Sequence, residues 1–302
     1  MTDYGVLFRE VAVPRLVGTP NHRKVRDILT RELEARGFTV EEHAFSGRPS
    51  RLLFGSPRLV EGTNLIAVRP SGSQAKATLQ GGNTGRPAVW LVAHYDSKGQ
   101  PISMAVRLLG FIGLIAGLVG LVLTPLPAAA LIAISSIVVL QNRVNNNSPG
   151  AVDNATALVA IFMTIDQLSV DAPVGVIFPD AEEFGLVGAR ALAAERAALL
   201  AESGVINLDG LDDVGWTVAL LHRPGSIGAA VADALRARRA RWLPVIVDGI
   251  ALAAVAGECI TILKGNWRTM RTVHRPSDTA ARIRLDGAAS VAAALARVLR
   301  AA

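Results

Sequence analysis

From residue 150 onward the chain alternates short apolar runs with amphipathic stretches. The runs are "VGVIFPD" (174–180), "GVINLDGL" (204–211), "WTVALLH" (216–222) and "CITIL" (259–263). Between and around them "DNATALVAIFMTIDQL" (153–168), residues 189–202, "IGAAVADALRARRA" (227–240) and "LDGAASVAAALARVLR" (285–300) carry helical spacing. Upstream, residues 21–38 predict a helix that stops at Gly37. "FTVEEHAF", "NLIAVRP" and "AVWLVAHYDS" predict strands. Continuous apolar strands that alternate with helices are buried on both faces. The expected fold is therefore α/β: a mainly parallel, mixed central sheet flanked by helices, with residues 1–302 forming one catalytic-type domain.

One segment breaks the alternation. Leu108 to Asn142 runs 35 residues without a charge and is interrupted by "TPLP" at 124–127. Closely spaced prolines do not continue a helix, so residues 101–147 predict an inserted hydrophobic helical hairpin. Gly110, Gly113, Gly117 and Gly120 on the first helix would let the second approach closely, as helices do in lipid. The expectation is a membrane-associated protein whose transmembrane or shallowly embedded hairpin has a lipid bilayer as partner through residues 108–140. Lys98, Arg107 and Arg143 flank the hairpin and place the rest of the chain on the cytoplasmic side.

Composition narrows the classes. The chain is 51% hydrophobic but only 5% aromatic, with a formal charge of +6. Its arginines are scattered without an aromatic-interleaved basic stripe, so nucleic acid is not an expected partner. The single Cys259 excludes an internal disulfide and reads as a small buried apolar residue. No basic-then-apolar leader opens the sequence.

Five residues of metal-ligand type fall at strand ends or in loops: His94, Asp153, Glu183, Asp209 and His274. A parallel sheet gathers the carboxyl ends of its strands into one crevice, so residues far apart in sequence can meet there. In "LVAHYDS", alternation puts His94 and Asp96 on one face, and a carboxylate beside a histidine can hold its second ring nitrogen. In "FPDAEEFGLVGAR", adjacent Glu182 and Glu183 repel one another unless a cation or proton lies between them. "TVHRPSDT" adds Asp278 four residues after His274. Imidazole plus carboxylate, with no usable thiol, suits Zn²⁺.

The order HxD, GAxDN, DAEExGLxG, NxD and HxxxDT resembles the co-catalytic zinc peptidases, the group of bacterial leucyl aminopeptidase, aminopeptidase Y and glutamate carboxypeptidase. The likeness runs from about residue 14 to the C-terminus, except for residues 101–147. It implies that Asp153 bridges two zinc ions, with His94 and Asp209 completing one shell and Glu183 and His274 the other. It further implies Glu182 as general base, Asp96 as the residue orienting His94, a cis-like Asp153–Asn154 peptide, and a peptide substrate. His22, His43 and His222 match no motif and are expected to be surface or structural residues. The implied activity is that of an aminopeptidase. Alternatives are a glutaminyl-cyclase-like enzyme, a carboxypeptidase using Arg268, Arg271 or Arg275, and an inactive receptor-like module.

Overall fold

The computed structural model describes residues 3–51, 53, 56–69 and 86–301. Among these, eight strands form one sheet in the order β1-β2-β4-β3-β5-β8-β6-β7. They are β1 (Thr39–Gly47), β2 (Val60–Val68), β3 (Val89–Val92), β4 (Val174–Phe178), β5 (Gly204–Leu211), β6 (Trp216–Arg223), β7 (Arg238–Ala240) and β8 (Glu258–Gly265). The central four, β4-β3-β5-β8, are parallel; β1 pairs antiparallel with β2, β2 with β4 and β6 with β8, while the edge strand β7 is parallel to β6. The sheet is thus mixed with a parallel heart. Of the predicted strand "NLIAVRP", Asn64 to Val68 lie within β2, Arg69 follows it, and Pro70 is outside the described residues.

The helices are α1 (Tyr4–Val11), α2 (Pro20–Glu34), α3 (Met104–Gly120), α4 (Pro125–Leu140), α5 (Thr156–Ile165), α6 (Val187–Glu195), α7 (Ala197–Leu200), α8 (Ser226–Ala234), α9 (Gly249–Leu252), α10 (Trp267–Thr272) and α11 (Asp286–Ala301). Thr19 caps α2 by accepting the His22 N–H, and Pro20 opens its first turn, where no donor is needed. One core cluster joins α1, α2, α5 and α11 to one face of the sheet; a second packs α6, α7 and α9 on the other. Cys259 belongs to the second cluster, and burial pushes its thiol up to about 12.

Two expected helices are cut short. Residues 189–202 break at Arg196, whose φ of -127° leaves the helical range and separates α6 from α7. Helix α8 ends at Ala234, and Arg238–Ala240 instead form an edge strand beside β6. The Arg238 guanidinium lies 4.4 Å from the Trp216 ring centre, a cation–π contact that helical periodicity does not register.

The membrane expectation does not hold. Helices α3 and α4 have 17 and 16 residues and are separated by a turn. At ~1.5 Å per residue each reaches about 25 Å, against ~30 Å of hydrocarbon. No helix among the described residues is long and apolar enough to cross a membrane. With no span, the transmembrane reading of residues 108–140 and the cytoplasmic orientation built on it are both withdrawn.

Candidate metal centre

The site forms where the parallel strands end. Strand β3 stops at Val92, and His94 and Asp96 follow directly. Strand β4 leads into a tight turn in which Ala181 takes a positive φ of 54°, bringing Glu182 and Glu183 round to the same crevice. Asp209 stands near the end of β5, and His274, with φ 63°, follows α10 after β8. Asp153 lies in the irregular turn Ala151–Ala155 that opens α5. Its peptide to Asn154 is cis. Asn154 pins this turn to β5, donating from its side-chain amide to the Leu208 carbonyl (3.0 Å) and accepting the Gly210 N–H (3.2 Å).

All five residues converge. His94 Nε2 lies 3.1 Å from Asp153 Oδ1, and His274 Nε2 lies 2.8 Å from Asp153 Oδ2. The two oxygens of one carboxylate therefore face two different histidines. Glu183 Oε2 is 3.2 Å from His274 Nε2. Two sets could each hold a cation: His94, Asp153 and Asp209, and Asp153, Glu183 and His274. Both ring nitrogens of His94 are buried without a well-formed hydrogen bond among the described residues. An imidazole with orphaned nitrogens among carboxylates suits a divalent cation.

Supporting groups fix these positions. Asp96, fully buried, accepts the N–H groups of Glu182 (3.1 Å) and Glu183 (3.2 Å), and its Oδ1 lies 3.3 Å from His94 Nδ1. Asp278 accepts the N–H groups of Val152 and Asp153. Behind the site Asp180 takes His22 Nε2 at 2.8 Å, the Tyr95 hydroxyl and the Thr63 N–H, so His22 is structural, as expected. His43 is held between Asn64 and Glu195, and His222 faces Thr261.

The electrostatics are uneven. Burial and repulsion from Glu183, Asp209 and Asp248 hold the Glu182 carboxyl well above the usual carboxylate range. Burial likewise raises Asp209 to about 7 and Asp248 to about 8. Glu183 goes the other way, to about 2: His274 and Lys98 outweigh its burial. Asp153 lies well below its usual value because both histidines overcome its desolvation.

Several participants had no signal in the motifs. Asp248 is 1% exposed, and neither carboxylate oxygen has a hydrogen-bond partner among the described residues; it follows an apolar run with no metal-type neighbour. Buried Arg15 donates to the carbonyls of Tyr95 (2.7 Å), Pro149 (2.6 Å) and Gly150 (3.1 Å), bracing two loops of the site. Lys98 and Arg107, expected as membrane flanks, sit in the site instead. Lys98 Nζ is 2.7 Å from Glu183 Oε2, and Arg107 Nη2 is 2.7 Å from His274 Nδ1. Arg107 comes from α3, which also lends Met104, Leu108 and Phe111 to the wall of a cleft of about 630 Å³. Asp153, Glu182, Glu183, Asp209 and His274 also line it.

A model of peptidase family M28 matches residues 76–299, well over half the sequence. The chain belongs to peptidase family M28. Its members are zinc-dependent peptidases, which agrees with the donor set. No curated protein matches the chain in sequence. Among solved structures it is similar to the glutaminyl cyclase of Porphyromonas gingivalis, with 17% identity, a TM-score of 0.65 and coverage of 99% of this chain and 96% of that one. It is similar also to Fimbriiglobus ruber glutaminyl cyclase, at 19% identity and TM-score 0.61 over 98% and 93% of the two chains. The LapA aminopeptidase of Legionella pneumophila aligns at 12% identity and TM-score 0.59, over 98% of this chain and 71% of that one. These likenesses show a shared fold.

Proposed function

We propose that this M28 chain is a zinc-dependent aminopeptidase that removes the N-terminal residue of peptides. The observation that carries the reading is Asp153, whose two oxygens face His94 and His274. In it His94, Asp153 and Asp209 would hold one ion, and Asp153, Glu183 and His274 a second. Zinc bound there would supply Lewis-acid polarisation of the scissile carbonyl and of the attacking water. The rest falls to the chain's own groups. Glu182, in neither ligand set and lining the cleft, takes the water's proton and returns it to the leaving amine. Its raised proton affinity suits a base that works near neutral pH. Asp96 orients His94 and, through the N–H groups of residues 182 and 183, fixes the base relative to that histidine.

Free-amine recognition fits the charges of the cleft: Glu182 and Asp209 line it and can face a substrate ammonium. The carboxypeptidase alternative finds less support. Arg275 donates to the carbonyls of Gln100 and Pro101, and neither Arg268 nor Arg271 lines the cleft. A second reading, cyclisation of N-terminal glutamine, is favoured by the likeness to glutaminyl cyclases.

The test is a panel of free aminoacyl, N-blocked and N-terminal glutaminyl peptides offered to the zinc-loaded protein. Release of the first residue from free peptides alone is expected; ammonia from glutaminyl peptides without hydrolysis of the others would select the second reading. Glu182→Gln should keep its zinc and lose roughly 10²–10⁴ of the rate. Asp153→Ala should lose metal as well. Near-normal turnover by Glu182→Gln would remove Glu182 from the role of base.

A further inference from the structure

The two halves of the metal centre differ in the company each histidine keeps. His94 Nδ1 faces a carboxylate oxygen of Asp96 at 3.3 Å. That is the usual arrangement for a metal-binding imidazole: the remote nitrogen carries the proton and donates it to an acceptor, leaving Nε2 free for the ion. His274 Nδ1 faces the Arg107 guanidinium at 2.7 Å. A guanidinium only donates, so Nδ1 must accept. An imidazole that gives Nε2 to a cation carries its proton on Nδ1, and would then oppose Arg107 donor to donor.

The carboxylates repeat the pattern. Both oxygens of Glu183 are engaged by Lys98: Oε1 accepts its backbone N–H at 3.2 Å, and Oε2 meets its ammonium at 2.7 Å. Lys98 is 8% exposed, so its ammonium has little room to swing away. Around His94 and Asp209 the neighbouring charges besides the ligands are Asp96, Glu182 and Asp248, which are buried and acidic. Buried Arg15 is attracted first by the shared Asp153 and then by Asp96, Asp278 and Glu183, and so is not confined to either half.

We propose that the two cation sites are unequal, with His94, Asp153 and Asp209 holding the resident ion and Lys98 and Arg107 opposing an ion at Asp153, Glu183 and His274. Two cations from the chain already offset the negative charge of the second half, while among the described residues nothing comparable offsets the first. The inserted hairpin, which carries Arg107, is thereby a determinant of metal occupancy. This rests on the zinc-peptidase reading of the same residues.

The test reads metal binding directly. Metal-free protein is titrated with Co²⁺, following visible absorption, and with Zn²⁺, by calorimetry against a competing chelator. The wild type should take one ion tightly and a second roughly 10–100-fold more weakly, the range expected when groups behind the ligands change. His94→Ala should abolish the tight event and His274→Ala the weak one. Lys98→Met should tighten the second ion about tenfold or more and leave the first unchanged. Arg107→Met should act in the same direction, and serves on its own should the buried Lys98 variant not fold. Two ions of equal affinity in the wild type, or weaker second binding in either methionine variant, would overturn the proposal while leaving the peptidase reading intact. A wild type that binds no ion would sink both.

Discussion

Helix α5 carries no charge and the hairpin helices only Arg107, yet they meet opposite fates. Nine of the ten residues of α5 are buried. In α3 only three of seventeen are buried, and in α4 two of sixteen. Isoleucines and leucines such as Ile115 (64% exposed) and Leu126 (83%) point away from the protein. The difference lies in the neighbours. The sheet, α1 and α11 cover α5, so its apolar side chains close one core. In the hairpin the glycines turn toward the partner helix: a methyl group at Gly110 would meet Val138, and one at Gly117 would meet Ile132 and the Ala128 carbonyl. Hydropathy reports that a segment avoids water; it does not report which surface covers it.

The largest effect expected from this contrast is in α5. Phe162, fully buried against Phe178 with the Arg36 guanidinium over its ring, should cost about 3–5 kcal/mol when replaced by alanine. Urea unfolding reads this directly, and a loss below 1 kcal/mol would mean that α5 is not the core it looks like.

The next test uses titration, because the turn that opens α5 carries Asp153 and is met by the buried Asp278, whereas residues 108–142 carry no ionisable group. Folding raises Asp209 to about 7, Asp248 to about 8 and Asp278 to about 6, chiefly by burial. Each then binds its proton more tightly folded than unfolded. Stability is therefore fullest near the ordinary carboxylate range and falls as pH climbs through these folded values. Glu183, lowered to about 2, acts in the opposite sense but only in acid. His94, held well above its ordinary value by Glu182 and its other carboxylates despite burial, adds to the fall. The metal-free protein should melt lower at about pH 8 than at about pH 5, and zinc, which needs the ligands deprotonated, should restore it. A melting point that rises over this interval without metal would contradict the burial of these carboxyls.

Within the hairpin, Gly117→Val should cost about 1–3 kcal/mol by forcing the helices apart, read as faster proteolysis at the Thr124 turn. Ile115→Ser, on the outward face, should change stability by no more than about 0.5 kcal/mol. A clear loss from Ile115→Ser would show that the exposed face is covered in solution.

The same contrast marks what the sequence discloses. His94, Glu183 and Asp209 are readable because strand ends of a parallel sheet converge, whereas Asp153 and His274, in turns beside helices, are legible through the motif order that resembles the zinc peptidases. Asp248 is not, since a carboxylate after an apolar run has no local feature separating it from a turn residue. Lys98 and Arg107 were visible but misread. Beside a lipid-like segment a cation looks like a headgroup partner, and only the fold shows Glu183 and His274 within 3 Å of them. The N-terminal helix α1 went unread, although Asp3 caps it by accepting the Val6 N–H.

Arg15 ties the amino-terminal segment to loops 80, 134 and 135 residues away, and His274 arrives from the far side of the sequence. No contiguous stretch of the chain owns the centre. Such distant closures carry the largest loop entropy and come late in folding. Competence to act on a bound molecule should thus appear in a single step at the end of maturation, and a partly docked chain should have none.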